Sequence, residues 1–373
     1  MAYYPDWAEN VIPPEDIDFS RFDWIDFAFA VPDENFALTW DDPVVAPSLL
    51  QRLVNQIHEY GKKVKISVGG WTGSKFFSSA VATPGNRQRF AQNIVQLFQN
   101  FNLDGVDIDW EYPGRPGNRG NQVDTGDSTN FLLFLQLLRT LLPPTARISA
   151  AVVSEPFVDS NGQVMNNMTD FADVLDWILL MNYDTWGSSR EPGPNAPMYD
   201  ACKNSTQPNA SAAGAFKIWT ASGFPASKLV LGLPTYGYIS SSSADDLRTR
   251  SENYSREVGS VVKIINSDGD SEGQVLFREL VEQGALVYTT EQQAGIASFI
   301  GSGGFERRWD ECSNTPFLRS TSANQIITYD DPSSLHMKAQ FVKEMGMKGV
   351  NFFDIHGDTN GWDLTDAVTN GLS

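Results

Sequence analysis

Only two cysteines, Cys202 and Cys312, occur in the 373 residues, too few for a disulfide-built scaffold but enough for one bridge. Histidine is nearly as scarce: His58, His336 and His356 lack zinc-type spacing, so no metal and no cofactor is expected. Basic residues are also few. The 27 Lys and Arg face 46 Asp and Glu, and the net charge of −19 argues against nucleic acid or an anionic membrane as a partner. No apolar run approaches the roughly 18 residues that span a bilayer. The first residues lack the basic and apolar regions of a signal peptide, so a mature or trimmed chain is expected. Four Asn-x-Ser/Thr sequons, at Asn167, Asn204, Asn209 and Asn253, fit a chain that passes through a secretory pathway. A secreted, extracellular glycoprotein with a Cys202–Cys312 bridge is therefore expected.

What is present is a regular alternation. Short stretches rich in β-branched and aromatic residues occupy 2–7, 24–31, 63–69, 105–111, 147–153, 177–183, 229–236 and 349–355. Between them lie segments such as 47–60, 86–99 and 128–142, with apolar residues at spacings of three and four. Eight strands alternating with helices predict an α/β fold, a (β/α)8 TIM barrel. The alternation fails between the seventh and eighth strands, where 239–329 is far longer than a βα loop. The expected organisation is a barrel of 1–238 and 330–373 with an inserted α+β subdomain at 239–329. Within it, Ser240 to Ser243 reads as a flexible lead-in and Val275 to Val281 as a short helix. A partial calcium-loop spacing from Asp268 to Glu279 carries glutamate at its fifth position, too long for that slot, and reads as a solvated acidic turn.

The most informative stretch is Asp104-Gly105-Val106-Asp107-Ile108-Asp109-Trp110-Glu111, with four acids inside a segment otherwise patterned as a buried strand. Burying acids is costly. Because side chains alternate along a strand, Asp107, Asp109 and Glu111 share one face, while Val106, Ile108 and Trp110 take the other. Acids this close in a dry site cannot all ionise, so one should hold its proton near neutral pH. Glu111, outermost on the strand, fits a proton donor, Asp109 its tuning neighbour, and Asp104 a support residue.

This stretch resembles the fourth-strand signature DGxDxDxE of family 18 glycoside hydrolases. Tyr3-Tyr4-Pro5-Asp6-Trp7 is similar to that family's first strand, Ser67-Val68-Gly69-Gly70 to its third, Met181-Asn182-Tyr183-Asp184 to its sixth, and Gly232 to Gly237 to its seventh. The insertion sits where many members carry theirs. The resemblance implies a chitinase acting on chitin or chitooligosaccharides by a retaining, substrate-assisted mechanism. In it Glu111 is acid and then base, Asp109 swings toward the substrate's acetamide N–H, Asp107 shares the proton load behind it, and Tyr183 hydrogen-bonds the acetamido oxygen. One departure stands out. Where the family's eighth strand usually places a tryptophan, this chain reads Gly349-Val350-Asn351-Phe352-Phe353-Asp354, and alignment on the glycine puts Phe353 there.

Trp71, Tyr112, Trp186, Tyr236 and Trp362 fall at or beyond strand C-terminal ends, where a barrel builds its site. With Met181, Asp184 and Phe353 they complete the candidate binding residues, Trp362 standing on position alone. Gly69 and Gly70 are expected to allow close backbone approach under the acidic strand. A chitin-binding lectin would lose the acid, which is present. An endo-β-N-acetylglucosaminidase acting on N-glycans commonly lacks the insertion. A monomer is expected.

Overall fold

A computed structural model describes residues 1–40, 42–247, 261–293 and 295–373, so the sequon at Asn253 lies outside the described residues. The strands of the larger sheet are β1 (Ala2–Pro5), β2 (Trp24–Pro32), β3 (Leu38–Trp40), β4 (Lys63–Gly69), β5 (Gly105–Asp109), β6 (Arg147–Val152), β7 (Trp177–Leu180), β8 (Leu229–Pro234) and, late in the chain, β16 (Gly349–Phe353). Their order is β1-β16-β8-β7-β6-β5-β4-β2-β3, with β1 also paired to β2, which is the closed eight-stranded ring of a (β/α)8 barrel with β3 added antiparallel.

The chain divides into two compact units, Met1–Met181 with Phe216–Val230, and Asn182–Ala215 with Leu231–Ser373. In the first, β1, β2, β4, β5, β6 and β7 pair in parallel, with Ser67 beside Asp107 and Asp107 beside Ser149. Just past the end of β5 lies an aromatic layer: Trp110 stacks on Phe77 at 5.3 Å and meets Phe131 edge-on at 5.4 Å. Leu49, Leu50, Leu53, Val54 and Ile57 are the buried stripe of helix Ala46–Glu59, the helical spacing that burial of one face requires.

The strands end earlier than their apolar patterns suggest. β5 stops at Asp109 and β7 at Leu180, so Glu111 and Tyr183 lie beyond the ladders. The Glu111 N–H donates to Ser74 Oγ at 2.8 Å, a side-chain partner in place of a neighbouring strand.

The second unit carries a five-stranded antiparallel sheet of β9 (Tyr236–Ser241), β10 (Gly273–Leu276), β13 (Glu306–Asp310), β14 (Thr315–Ser320) and β15 (Gln325–Thr328), and a two-stranded one of β11 (Leu286–Gln293) and β12 (Ile296–Gly301). One sequence expectation fails here, and the expected short helix starts two residues later. Ser240 and Ser241 are not a flexible lead-in but the end of β9, paired with Ile326 and Gln325, and the Ser240 hydroxyl oxygen accepts the Ser189 N–H. Val275 and Leu276 are not helical, because β10 pairs them with Gly237 and Tyr236, and helix Phe277–Glu282 begins only after them, the Glu279 carboxylate accepting the Leu276 N–H at 2.8 Å. Cys202 and Cys312 form a disulfide, with Cα atoms 5.1 Å apart, inside the bridgeable range. It is flanked by an Ala201 N–H bond to the Cys312 carbonyl.

Candidate active site

In the first unit the acids of β5 grow more exposed toward its end: Asp107 is 1%, Asp109 4% and Glu111 8% exposed. Asp104, on the opposite phase, binds Lys63 Nζ at 2.7 Å and His58 Nε2 at 2.8 Å and accepts the Val64 N–H, a support role. Asp107 is surrounded by donors. Tyr3 and Ser67 hydroxyls each donate to Oδ2 at 2.9 Å, and Ser149 donates to Oδ1 at 2.5 Å. Its carboxylate is thus built to be an acceptor.

Asp109 has the opposite surroundings. Its Oδ1 has no hydrogen-bond partner among the described residues. Burial, and after it the charges of Glu111 and Asp107, raise its carboxyl well above the ordinary value of 3.8. The two neighbours thus differ: Asp107 is a carboxylate saturated with donors, while Asp109 is buried with its Oδ1 unpartnered and its carboxyl raised.

A stability consequence follows from the sign. A carboxyl raised on folding contributes stability that is fully present below its unfolded value and lost as pH rises through the folded one. Asp109→Asn removes that loss. The melting temperature of Asp109→Asn minus that of wild type should therefore climb as the pH rises above about 4, the ordinary carboxyl value. A difference that stays flat as the pH rises would contradict it.

The backbone under the acids is fixed closely. Gly69 has φ +118°, and a Cβ there would lie 2.1 Å from the Asp109 carbonyl oxygen, while Gly70 has φ +82° and faces Phe29. Ser74 Oγ lies 3.2 Å from the Asp109 carbonyl, and Asn121 Nδ2 donates to the Glu111 carbonyl at 3.0 Å. The Glu111–Tyr112 peptide bond is cis. Beyond it Tyr112 meets Trp71 edge-on, with ring centroids 6.4 Å apart and Trp71 50% exposed. Trp7, equally open at 48% and 6.4 Å from Phe29, lies just past β1, a strand-end position of the kind that marks the other candidate rings. Met181 closes this unit, its N–H donating to the Val152 carbonyl.

The second unit gathers Tyr183, Tyr236 and Phe353, with centroids 6.2 Å (Tyr183–Tyr236), 6.0 Å (Tyr183–Phe353) and 6.4 Å (Tyr236–Phe353) apart. Phe353 is half-buried, whereas Phe352 is 3% exposed. Asp184 adopts φ +55° and accepts hydrogen bonds from Tyr236 at 2.8 Å and Tyr238 at 2.7 Å. Desolvation raises its carboxyl while the Tyr238 and Tyr236 hydroxyls pull the other way. Because part of Asp184 stays open to solvent, that rise weighs less than the one at Asp109.

Asn195, which no sequence motif marked, ties the group together: its Oδ1 accepts the Asp184 N–H at 2.8 Å and its Nδ2 donates to the Tyr236 carbonyl at 3.0 Å. Trp186 packs over Gly193, where a Cβ would lie 2.5 Å from the indole. Trp362 is half-buried at the start of helix Asp363–Leu372 and serves as its N-cap.

The chain's relatives match this architecture. Residues 1–358 match the family model described as Glycosyl hydrolases family 18. A chitinase-like effector of Moniliophthora roreri is 33% identical over 99% of this chain and 92% of its own length. Chitinase A1 of Niallia circulans is 31% identical over 86% of this chain and 44% of its own length. The crystal structure of a chitinase from Rhizomucor miehei superimposes with a TM-score of 0.76 at 28% identity, covering 100% of this chain and 99% of that one. With the model matched over almost its whole length, the chain belongs to glycosyl hydrolase family 18.

Proposed function

We propose that the protein is a chitinase that cleaves β-1,4 linkages between N-acetylglucosamine units with retention of configuration. The observation that carries this reading is the acidic row of β5 and its extension: a donor-saturated Asp107, a buried Asp109 whose carboxyl is raised, and Glu111 at the outer end. In the first step the Glu111 carboxylic acid gives its proton to the glycosidic oxygen as the C1–O bond breaks. The substrate's own acetamido oxygen bonds to C1 from the opposite face, forming an oxazolinium ion. Asp109 turns toward the acetamide N–H and stabilises its developing positive charge, and Tyr183 donates a hydrogen bond to the acetamido oxygen. In the second step the Glu111 carboxylate takes a proton from water, the water oxygen bonds to C1, and the C1–acetamido bond breaks.

Trp71, Tyr112, Trp186, Tyr236 and Phe353 serve this reading as sugar-contacting rings, with Met181 and Asp184 beside them. Phe353 offers a flat apolar platform of less area than indole. Phe353→Ala should lower kcat/KM by roughly 5- to 150-fold, while Phe352→Ala should act on stability. Steady-state kinetics and thermal melts of both variants check this, and the reverse pattern would move the platform to Phe352.

The reading includes an extracellular setting, supported by the disulfide and by the exposure of Asn167, Asn204 and Asn209. A second reading, retention of chitin oligomers without cutting, would require loss of the acid, and the presence of Glu111 weighs against it. Incubation with chitin hexasaccharide and with a high-mannose glycopeptide, products resolved by mass, separates the readings. Shorter chitooligosaccharides from the hexasaccharide alone are expected. Cleavage of the glycopeptide alone, or of neither, would overturn the proposal.

A further inference from the structure

Lys65 is a fully buried cation on β4, and neither the acidic motif nor the proposed chemistry requires it. An ammonium is expensive to bury unless paired. Here Nζ lies 3.2 Å from Asp26 Oδ1, donates to Ser149 Oγ at 2.6 Å, and sits 4.5 Å from the centroid of the Trp177 ring. Gly105 makes room for its stem, since a Cβ there would lie 2.9 Å from Lys65 Cγ.

The Ser149 hydroxyl has one hydrogen. With Lys65 occupying its oxygen as donor, that hydrogen points to Asp107 Oδ1 at 2.5 Å. The groups facing Asp107 and Lys65 are Tyr3 from β1, Asp26 from β2, Ser67 from β4, Asp109 and Glu111 from their own strand and its extension, Ser149 from β6 and Trp177 from β7. The Met1 amino group, drawn down to about 6 mainly by burial, also interacts with Asp26 and Lys65. Lys65 is the cation that reaches the acidic ladder through a single bridging hydroxyl.

We propose that Lys65 is a positioning residue that polarises Ser149 toward Asp107 and so sets the electrostatics of the acidic ladder through that single bridging hydroxyl. The consequence for catalysis rests on the chitinase reading, whereas the charge arrangement does not. Two measurements therefore test it: carboxyl-carbon NMR titration of aspartate-labelled protein without substrate, and the pH profile of kcat/KM on a chitooligosaccharide.

Lys65→Met removes positive charge beside the ladder and should raise the carboxyl titration midpoints, and both limbs of the kinetic profile, by about one pH unit. Asp26→Asn leaves Lys65 unneutralised and should move them in the opposite direction. If either buried charge cannot be left alone in a folded chain, Lys65→Met/Asp26→Asn replaces the pair by a neutral one and should still raise the midpoints, by about half as much. A purely structural lysine would lower activity or stability and leave the midpoints in place. Midpoints within about 0.2 units of wild type in the folded variants would overturn the proposal. An enzyme inactive on every chitooligosaccharide would overturn the chitinase reading and leave the NMR titration to decide on Lys65.

Discussion

Glu111→Gln should reduce turnover of a chitooligosaccharide by a factor of about 100 or more while leaving its binding within about threefold of wild type. The amide keeps the shape of the side chain and the backbone contacts to Ser74 and Asn121, but it has no proton of suitable acidity for the glycosidic oxygen. It also has no basic oxygen with which to activate water afterwards, so both chemical steps are lost together. Isothermal titration with chitohexaose and product quantification over long incubations would measure the two effects separately. Turnover within tenfold of wild type would remove Glu111 from the acid's role.

Gly69→Ala should cost more than about 4 kcal/mol or prevent folding. Two causes add. The residue holds φ +118°, where a side chain is strained whatever the space, and the new Cβ would lie 2.1 Å from the Asp109 carbonyl oxygen and 2.9 Å from Phe77 Cε2. The carbonyl cannot retreat easily, because Gly69 pairs with Asp109 in the parallel ladder. Gly61→Ala is the matched control: φ is +66° and nothing lies within 4 Å, so only the left-handed penalty of about 1 kcal/mol is expected. Equal denaturant midpoints for the two variants would show that the close approach under Asp109 is not what holds β4 to β5.

Much of this was legible in the chain itself, for reasons that differ from residue to residue. The three-and-four spacing of Leu49, Leu50, Leu53, Val54 and Ile57 leaves one helical face to bury, and the parity of Asp107 and Asp109 sets them on one face of β5, with Glu111 just past its end. Strand parity cannot tell a buried lysine from an exposed one. Lys63 and Lys65 share a phase on β4, yet Lys63 lies half in solvent at the strand's start and Lys65 is fully enclosed among Asp26, Ser149 and Trp177.

Long-range partners were equally hidden. Asn195 is an ordinary loop residue until the fold brings Asp184 and the Tyr236 carbonyl to its amide. The serine run misled for a related reason: its composition suggests flexibility, but β15 supplies the backbone partners that order Ser240 and Ser241. Phe352 and Phe353 could exchange roles with a one-residue slip. The 3% exposure of Phe352 against the rings of Tyr183 and Tyr236 around Phe353 distinguishes them.

The central claim is substrate-assisted retention driven by Glu111, and proton NMR of freshly cleaved chitohexaose tests it most directly. Attack by the acetamido oxygen followed by water gives two inversions at C1, so the new reducing ends should appear first as the β-anomer and convert to the α-anomer only by slow mutarotation. New reducing ends appearing first as the α-anomer would mean a single inverting displacement and contradict the account, as would the absence of any cleavage by the wild-type chain.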